Sequence, residues 1–195
     1  MSDLSFILQS VLLGFGLAMD SFSVSIADTL VEPGMTKRKG FGIAGMFGFC
    51  QMLFPVIGWF FVHSLLSVFN VLEKFIPWIA LALLAYIGGG MIKDGVTGDG
   101  DDELPDRPVT FPQLVLQGIA TAIDALSVGF TIADYDFGRA FLCAFISGAV
   151  TFLVCIVGLR IGKKLGEKIG SRASILGGCI LIFIGLKVVF DSFTR

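Results

Sequence analysis

The segment "QSVLLGFGLAMDSFSV" (residues 9–24) returns 104 residues later as "QLVLQGIATAIDALSV" (residues 113–128), identical at eight of sixteen positions. Apolar composition accounts for the matched valines and leucines. It does not account for Gln9/Gln113, Gly14/Gly118, Asp20/Asp124 and Ser23/Ser127 falling at one register. Weaker correspondence continues further on. At a shift of 100 residues Gly48, Leu53 and Gly58 meet Gly148, Leu153 and Gly158, and at a shift of 97 Ile87, Gly88 and Asp94 meet Ile184, Gly185 and Asp191. The chain therefore divides into two related halves, residues 1–93 and 111–195, joined by the acidic stretch 94–110.

Each half is built for a bilayer. Of the residues, 55% are hydrophobic and 15% charged, with a mean hydropathy of +0.88, whereas soluble domains carry about 25% charged residues. Apolar runs of about 20 residues match the roughly 30 Å hydrocarbon core. They predict spans at Leu4–Ala27, Phe41–Val62, Phe75–Ile92, Phe111–Ala133, Arg139–Leu159 and Ala173–Phe190. Every span is expected to be helical, because a lipid-facing backbone must satisfy its own hydrogen bonds and no barrel-type alternation is present. Three crossings per half give the halves opposite orientation. The expected fold is thus an all-α integral membrane protein of six transmembrane helices, arranged as two inverted three-helix repeats.

Ten of the fourteen basic residues, among them Lys37, Arg38, Lys39, Arg160, Lys163 and Lys164, fall in connections one, three and five. Those connections are expected to be cytoplasmic, which puts both termini outside the cell membrane. With no basic residue before Lys37, the first span reads as retained rather than as a signal peptide.

A carboxylate at a helix centre costs roughly 2.5 to 3.5 kcal/mol on insertion scales, so an aspartate repeated in two spans points to function. Asp20 and Ser23 share a helical face, as do Asp124, Ser127 and Thr131. In an inverted repeat the site lies near the midplane, where the two carboxylates would approach from opposite sides. Two carboxylates there need either a proton or a cation between them. Oxygen ligands suit Mg²⁺, Ca²⁺ or Mn²⁺ better than soft ions. Gly14, Gly16 and Gly118, one to two turns before the aspartates, serve either close packing or local unwinding. Pro55, mid-span, predicts a kink or an opened backbone.

Four segments carry a resemblance: "GLAMDSFSVSIA" (residues 16–27), "ATAIDALSVG" (120–129), "FPVIGW" (54–59) and "YIGGGMIKDG" (86–95). The chain resembles the MntP family of manganese efflux pumps over nearly its whole length. That resemblance implies a six-span exporter of Mn²⁺ with Asp20 and Asp124 in the transport site. The chain departs from the family at two positions. Gln51 stands where members carry a glutamate, and Gly90 stands where a basic residue is common. Gln51 keeps an amide oxygen that can still ligate, and its repeat partner Thr151 is another oxygen donor. The expected metal ligands are therefore Asp20, Asp124, Gln51, Ser23, Ser127 and Thr151.

Other features add less. The stretch "DGVTGDGDDELPDRP" (residues 94–108) reads as a solvated linker, without the ligand spacing of an EF-hand. Gly158, Gly162, Gly166 and Gly170 recur every four residues with lysines outside, suggesting that span five continues as an interfacial helix against anionic lipid. Cys50, Cys143, Cys155 and Cys179 form no C-x-x-C pair, and neither a phosphate-binding loop nor a nucleic-acid motif occurs.

The sequence thus reads as a secondary exporter of divalent metal, most readily Mn²⁺. Its partners are the metal as substrate, protons as coupling ion and membrane lipid, with no permanently bound cofactor. An intramembrane aspartyl protease would also use two aspartates, but neither a Tyr-Asp nor a Gly-x-Gly-Asp signature surrounds them. A family relative with another ion, or with a structural role, is the alternative that Gln51 motivates.

Overall fold

The computed structural model describes residues 3–32, 34–64, 78, 81–82, 84–90, 92–93, 96, 109–169 and 173–193. Among the described residues five helices have set bounds, and a further set of helical residues falls between the second and third of them. They are α1 (Asp3–Val31), α2 (Lys37–Ser64), α3 (helical residues between 78 and 96), α4 (Phe111–Thr131), α5 (Phe137–Ile169) and α6 (Ala173–Phe193). Apart from residues 96, 109 and 110, the acidic linker expected at 94–110 lies outside the described residues.

The helix ends follow local chemistry. Thr36 precedes α2, and its Oγ1 accepts the Lys39 amide at 3.3 Å. Asp136 does the same for Arg139 ahead of α5 at 3.4 Å, each side chain occupying the N-cap role. Among the described residues, four stretches are long and apolar enough to cross a membrane: Asp3–Val31, Lys37–His63, Phe111–Gly129 and Phe137–Leu165. Helix α6 contains the shorter apolar stretch Ile175–Ile184. At 33 residues, α5 is about 50 Å long at 1.5 Å per residue, so its last turns extend past a hydrocarbon core of roughly 30 Å.

Small residues decide how the helices meet, because lipid tails give apolar side chains no reason to prefer protein and close backbone approach becomes the main attraction. Gly14 abuts Ser147, Gly158 abuts Phe22 and Ser25, and Gly162 abuts Ile26 and Thr29. Residue numbers rise together, so α1 and α5 run parallel. The pair α2 and α4 does likewise, with Gly118 beside Cys50 and Gly129 beside Gly58 and Trp59. These are inverted-repeat-like contacts, since α1 on α5 and α4 on α2 are the same pairing seen from each half. Helices α2 and α5 cross where Gly48 and Gly148 face one another, each 2.6 to 2.8 Å, at its missing Cβ, from the other's carbonyl oxygen. Gly88 of α3 and Gly178 of α6 form a similar mutual contact.

On the opposite face of α1, Leu4, Leu8, Leu12, Phe15 and Met19 are exposed at every third or fourth position. A stripe of that size would aggregate in water and is at home in lipid. One end of the bundle is closed by Phe6 edge-on to Tyr135, whose carbonyl accepts the Trp59 indole N–H at 3.0 Å. At the other end Glu32 accepts the Val109 amide at 2.7 Å and pairs with Lys39. Lys37, Arg160 and Lys163 share a depression of about 440 Å³ with Met35, at the Lys39 end.

Candidate functional site

Asp20 sits on the face of α1 that meets α6. Its Oδ1 accepts a hydrogen bond from Lys187 Nζ at 3.0 Å, with the Asp20 side chain 13% and the Lys187 side chain 46% exposed. The pair lies in a cavity of about 530 Å³ lined also by Phe22, Ser23, Cys179 and Phe183. Ser23 Oγ donates to Met19 O at 3.0 Å, so its proton is committed to its own helix while its lone pairs face the cavity beside Asp20.

Asp124 stands on α4 with its Oδ1 buried. The parallel register of α4 on α2, set by Gly118 beside Cys50 and Gly129 beside Gly58, brings Asp124 level with the turn around Pro55. Ser127, half-buried, follows one turn later. Asp20 and Asp124 thus belong to different helix pairs, α1 with α5 and α6 on one side and α4 with α2 on the other.

Helices α1, α2 and α5 also carry buried polar side chains where they meet. Gln51 is fully buried; its Nε2 donates to Leu17 O on α1 at 2.8 Å, and its Oε1 finds no donor among the described residues. Thr151 Oγ1, Ser147 Oγ and Ser21 Oγ are likewise buried without a hydrogen-bond partner among the described residues. Gln51 and Thr151 flank the α2/α5 crossing: Gly148 abuts Met52 and Gly48 abuts Phe152, each the next residue along. Helix α2 continues through Pro55. Without an amide hydrogen there, the Gln51 carbonyl has no helical donor, which adds a further free acceptor at this level. Buried polar atoms normally find partners, so unmet oxygens on the facing helices α1, α2 and α5 mark where water or a cation would be accommodated. Among the described residues no three His, Cys, Asp or Glu side chains converge, so a metal here would depend on amide, hydroxyl and carbonyl oxygens beside carboxylate.

Helices α1 and α4 run unbroken through Gly14, Gly16 and Gly118. Gly14 packs on Ser147 and Gly118 on Cys50, while nothing lies within 4 Å of where a Gly16 Cβ would be.

The sequence reading passed over two elements. Lys187 was missed although a lone lysine in an apolar span is flagged by the same cost as Asp20; a shift of 97 makes it the repeat partner of Gly90. Asp28, near the end of α1, is buried and accepts a hydrogen bond on Oδ1 from Gln117 Nε2 at 2.8 Å. Its remaining oxygen, Oδ2, and Gln117 Oε1 accept none. Neither has a repeat counterpart of like chemistry, because Ile132 and Leu13 stand at the corresponding positions, so the repeat could not reveal them.

Comparison with known proteins agrees with the resemblance. The family model described as "Mntp: Putative manganese efflux pump" matches residues 34–189. A "Putative manganese efflux pump MntP" of Ruminiclostridium cellulolyticum is 35% identical over 92% of this chain and 93% of its own. Proteins with the same description from Methanosarcina mazei and Methanobrevibacter smithii are 38% and 37% identical, each over 94% of this chain and 96% of the relative. No solved structure matches.

Proposed function

The chain belongs to the MntP family, and from that premise we propose that it is a secondary exporter of hard divalent metal, Mn²⁺ foremost, driven by exchange with protons. A divalent-metal transport role follows from the family, whose members are transporters and not enzymes. One observation supports the finer reading above others: carboxylates stand at one register of the two halves, Asp20 and Asp124, in a chain whose facing helices also bury unmet oxygens of Gln51, Thr151, Ser147 and Ser21.

In this reading Asp20 and Asp124 supply the negative charge near the midplane. Gln51 and Thr151, with Ser23 and Ser127 toward either carboxylate, supply neutral oxygens in the set a hard dication prefers. Lys187 is a tethered cation that occupies Asp20 until the metal displaces it. The glycine crossing of α2 and α5 is the pivot about which the halves rock, exposing the site first to one side and then to the other. With the basic depression on the cytoplasmic side, both termini face outward.

Expelling a dication against an inside-negative potential costs about 4.6 kcal/mol per 100 mV, twice the single-charge value. Exchange of two protons for one metal ion removes that cost, because the cycle is then electroneutral. The test is Mn²⁺ titration of purified protein. Binding should be lost in both Asp20→Asn and Asp124→Asn with the fold retained, and binding at wild-type strength in both would overturn the assignment.

A further inference from the structure

We propose that Asp28 and Gln117 form a second ion-binding site, one that holds a proton between Asp28 Oδ2 and Gln117 Oε1. The inference rests on the exporter reading for its role in transport, but not for its chemistry.

The geometry starts from two side chains that meet across α1 and α4 with 1% and 0% exposure. One hydrogen bond, Gln117 Nε2 to Asp28 Oδ1 at 2.8 Å, already fixes them to each other. The atoms left over are Oδ2 on the carboxyl and Oε1 on the amide, both buried and both without a partner. Two acceptors cannot satisfy one another. A single proton on Oδ2 changes this, because the acid O–H then donates to the amide oxygen and the carboxylic acid and primary amide close a two-point pair. The same proton removes a buried negative charge that no cation among the described residues pairs with directly.

The surroundings suit a proton better than a metal ion. Among the described residues Glu32 and Lys39 are the charged groups that act on Asp28, and they pair with each other, Glu32 also taking the Val109 amide. From α5 the neighbour is Cys155, which is fully buried. One carboxylate and one amide oxygen are too few ligands for a hard dication, which takes six or more oxygens. Asp28 lies on the same helix as Asp20, two turns nearer the Glu32 end of the bundle, and on a buried face while Asp20 faces α6. Since Lys187 already neutralises Asp20, Asp28 is a second carboxyl group able to carry one of the protons exchanged for metal.

Two measurements test this. Infrared difference spectra of the purified protein near neutral pH should show a hydrogen-bonded carboxylic acid C=O band that is missing in Asp28→Asn and shifted in Gln117→Met. Spectra of wild type and Asp28→Asn that coincide in this region would overturn the proposal, as would a band that Mn²⁺ removes in the Asp20→Asn, Asp124→Asn double variant. If Asp28→Asn does not accumulate, an unshifted acid band in Gln117→Met overturns it alone. In sealed liposomes, Asp28→Asn places an amide where the acid would be, and should lower the protons moved per metal ion by one. An unchanged ratio would overturn the coupling role. Absence of metal flux in the wild type would fail the exporter reading instead, leaving the infrared result to judge the site.

Discussion

Replacing Lys187 by methionine removes the cation held by Asp20 while keeping most of the lysine's apolar length. At 3.0 Å and an effective dielectric constant of about 20, the gross Coulomb attraction is about 5.5 kcal/mol. Solvation of the ammonium, 46% exposed, offsets much of this, whereas Asp20 at 13% has little water to fall back on. The net coupling should therefore be about 1–2 kcal/mol, above a surface pair and below a buried one. Two consequences differ in sign. Without metal, Lys187→Met should lower thermal stability in detergent more than Asp20→Asn does, because it strands a mostly buried carboxylate while the other leaves a lysine that can reach water. With metal, the freed carboxylate should bind Mn²⁺ about 5- to 30-fold more tightly, the factor equivalent to that coupling. A double-mutant cycle on unfolding, together with Mn²⁺ calorimetry, measures both. Coupling below about 0.3 kcal/mol with unchanged Mn²⁺ affinity would refute the tethered-cation role.

Other variants probe the packing and the buried oxygens. Gly129→Ala would put a methyl carbon 2.5 Å from Gly58 Cα and Trp59 N, backbone atoms that cannot rotate away, and should cost about 1–3 kcal/mol or more in thermal unfolding. Gly16→Ala meets nothing within 4 Å and should be neutral or stabilise by up to about 1 kcal/mol, unless the helix opens there. Gln51→Leu loses the 2.8 Å bond to Leu17 O, at about 1 kcal/mol, and should weaken Mn²⁺ binding. Gln51→Glu sets a carboxylate against that carbonyl, so its melting temperature should fall without metal and recover steeply as Mn²⁺ is added.

What could be read from the sequence was what the repeat duplicates. Asp20, Asp124 and the division into two related halves follow from identities at one register, whereas the pairing of α1 with α5 rests on glycine contacts that the repeat alone does not specify. Asp28 and Gln117 occur once, so the duplication carried no trace of them. Lys187 was hidden differently. The resemblance places a basic residue at position 90, and Lys187 stands at the repeat-related position in the other half, where it meets Asp20. Ser23 shares a face with Asp20, and its hydroxyl donates to Met19 O, since a helical serine reaches the carbonyl four residues back more easily than a neighbouring side chain. Periodicity places a residue on a face but leaves open what a flexible polar group on that face will bond.

The most direct test of metal export is flux into sealed liposomes containing only this protein, with Mn²⁺, Mg²⁺, Ca²⁺, Zn²⁺ and Cd²⁺ compared under an imposed pH gradient. An oxygen-only site predicts Mn²⁺ movement coupled to opposite proton movement, little response to Cd²⁺, and loss of both in the Asp20→Asn, Asp124→Asn double variant. Metal movement without proton movement would contradict the coupling, and no flux of any divalent ion from folded protein would contradict the account at its centre.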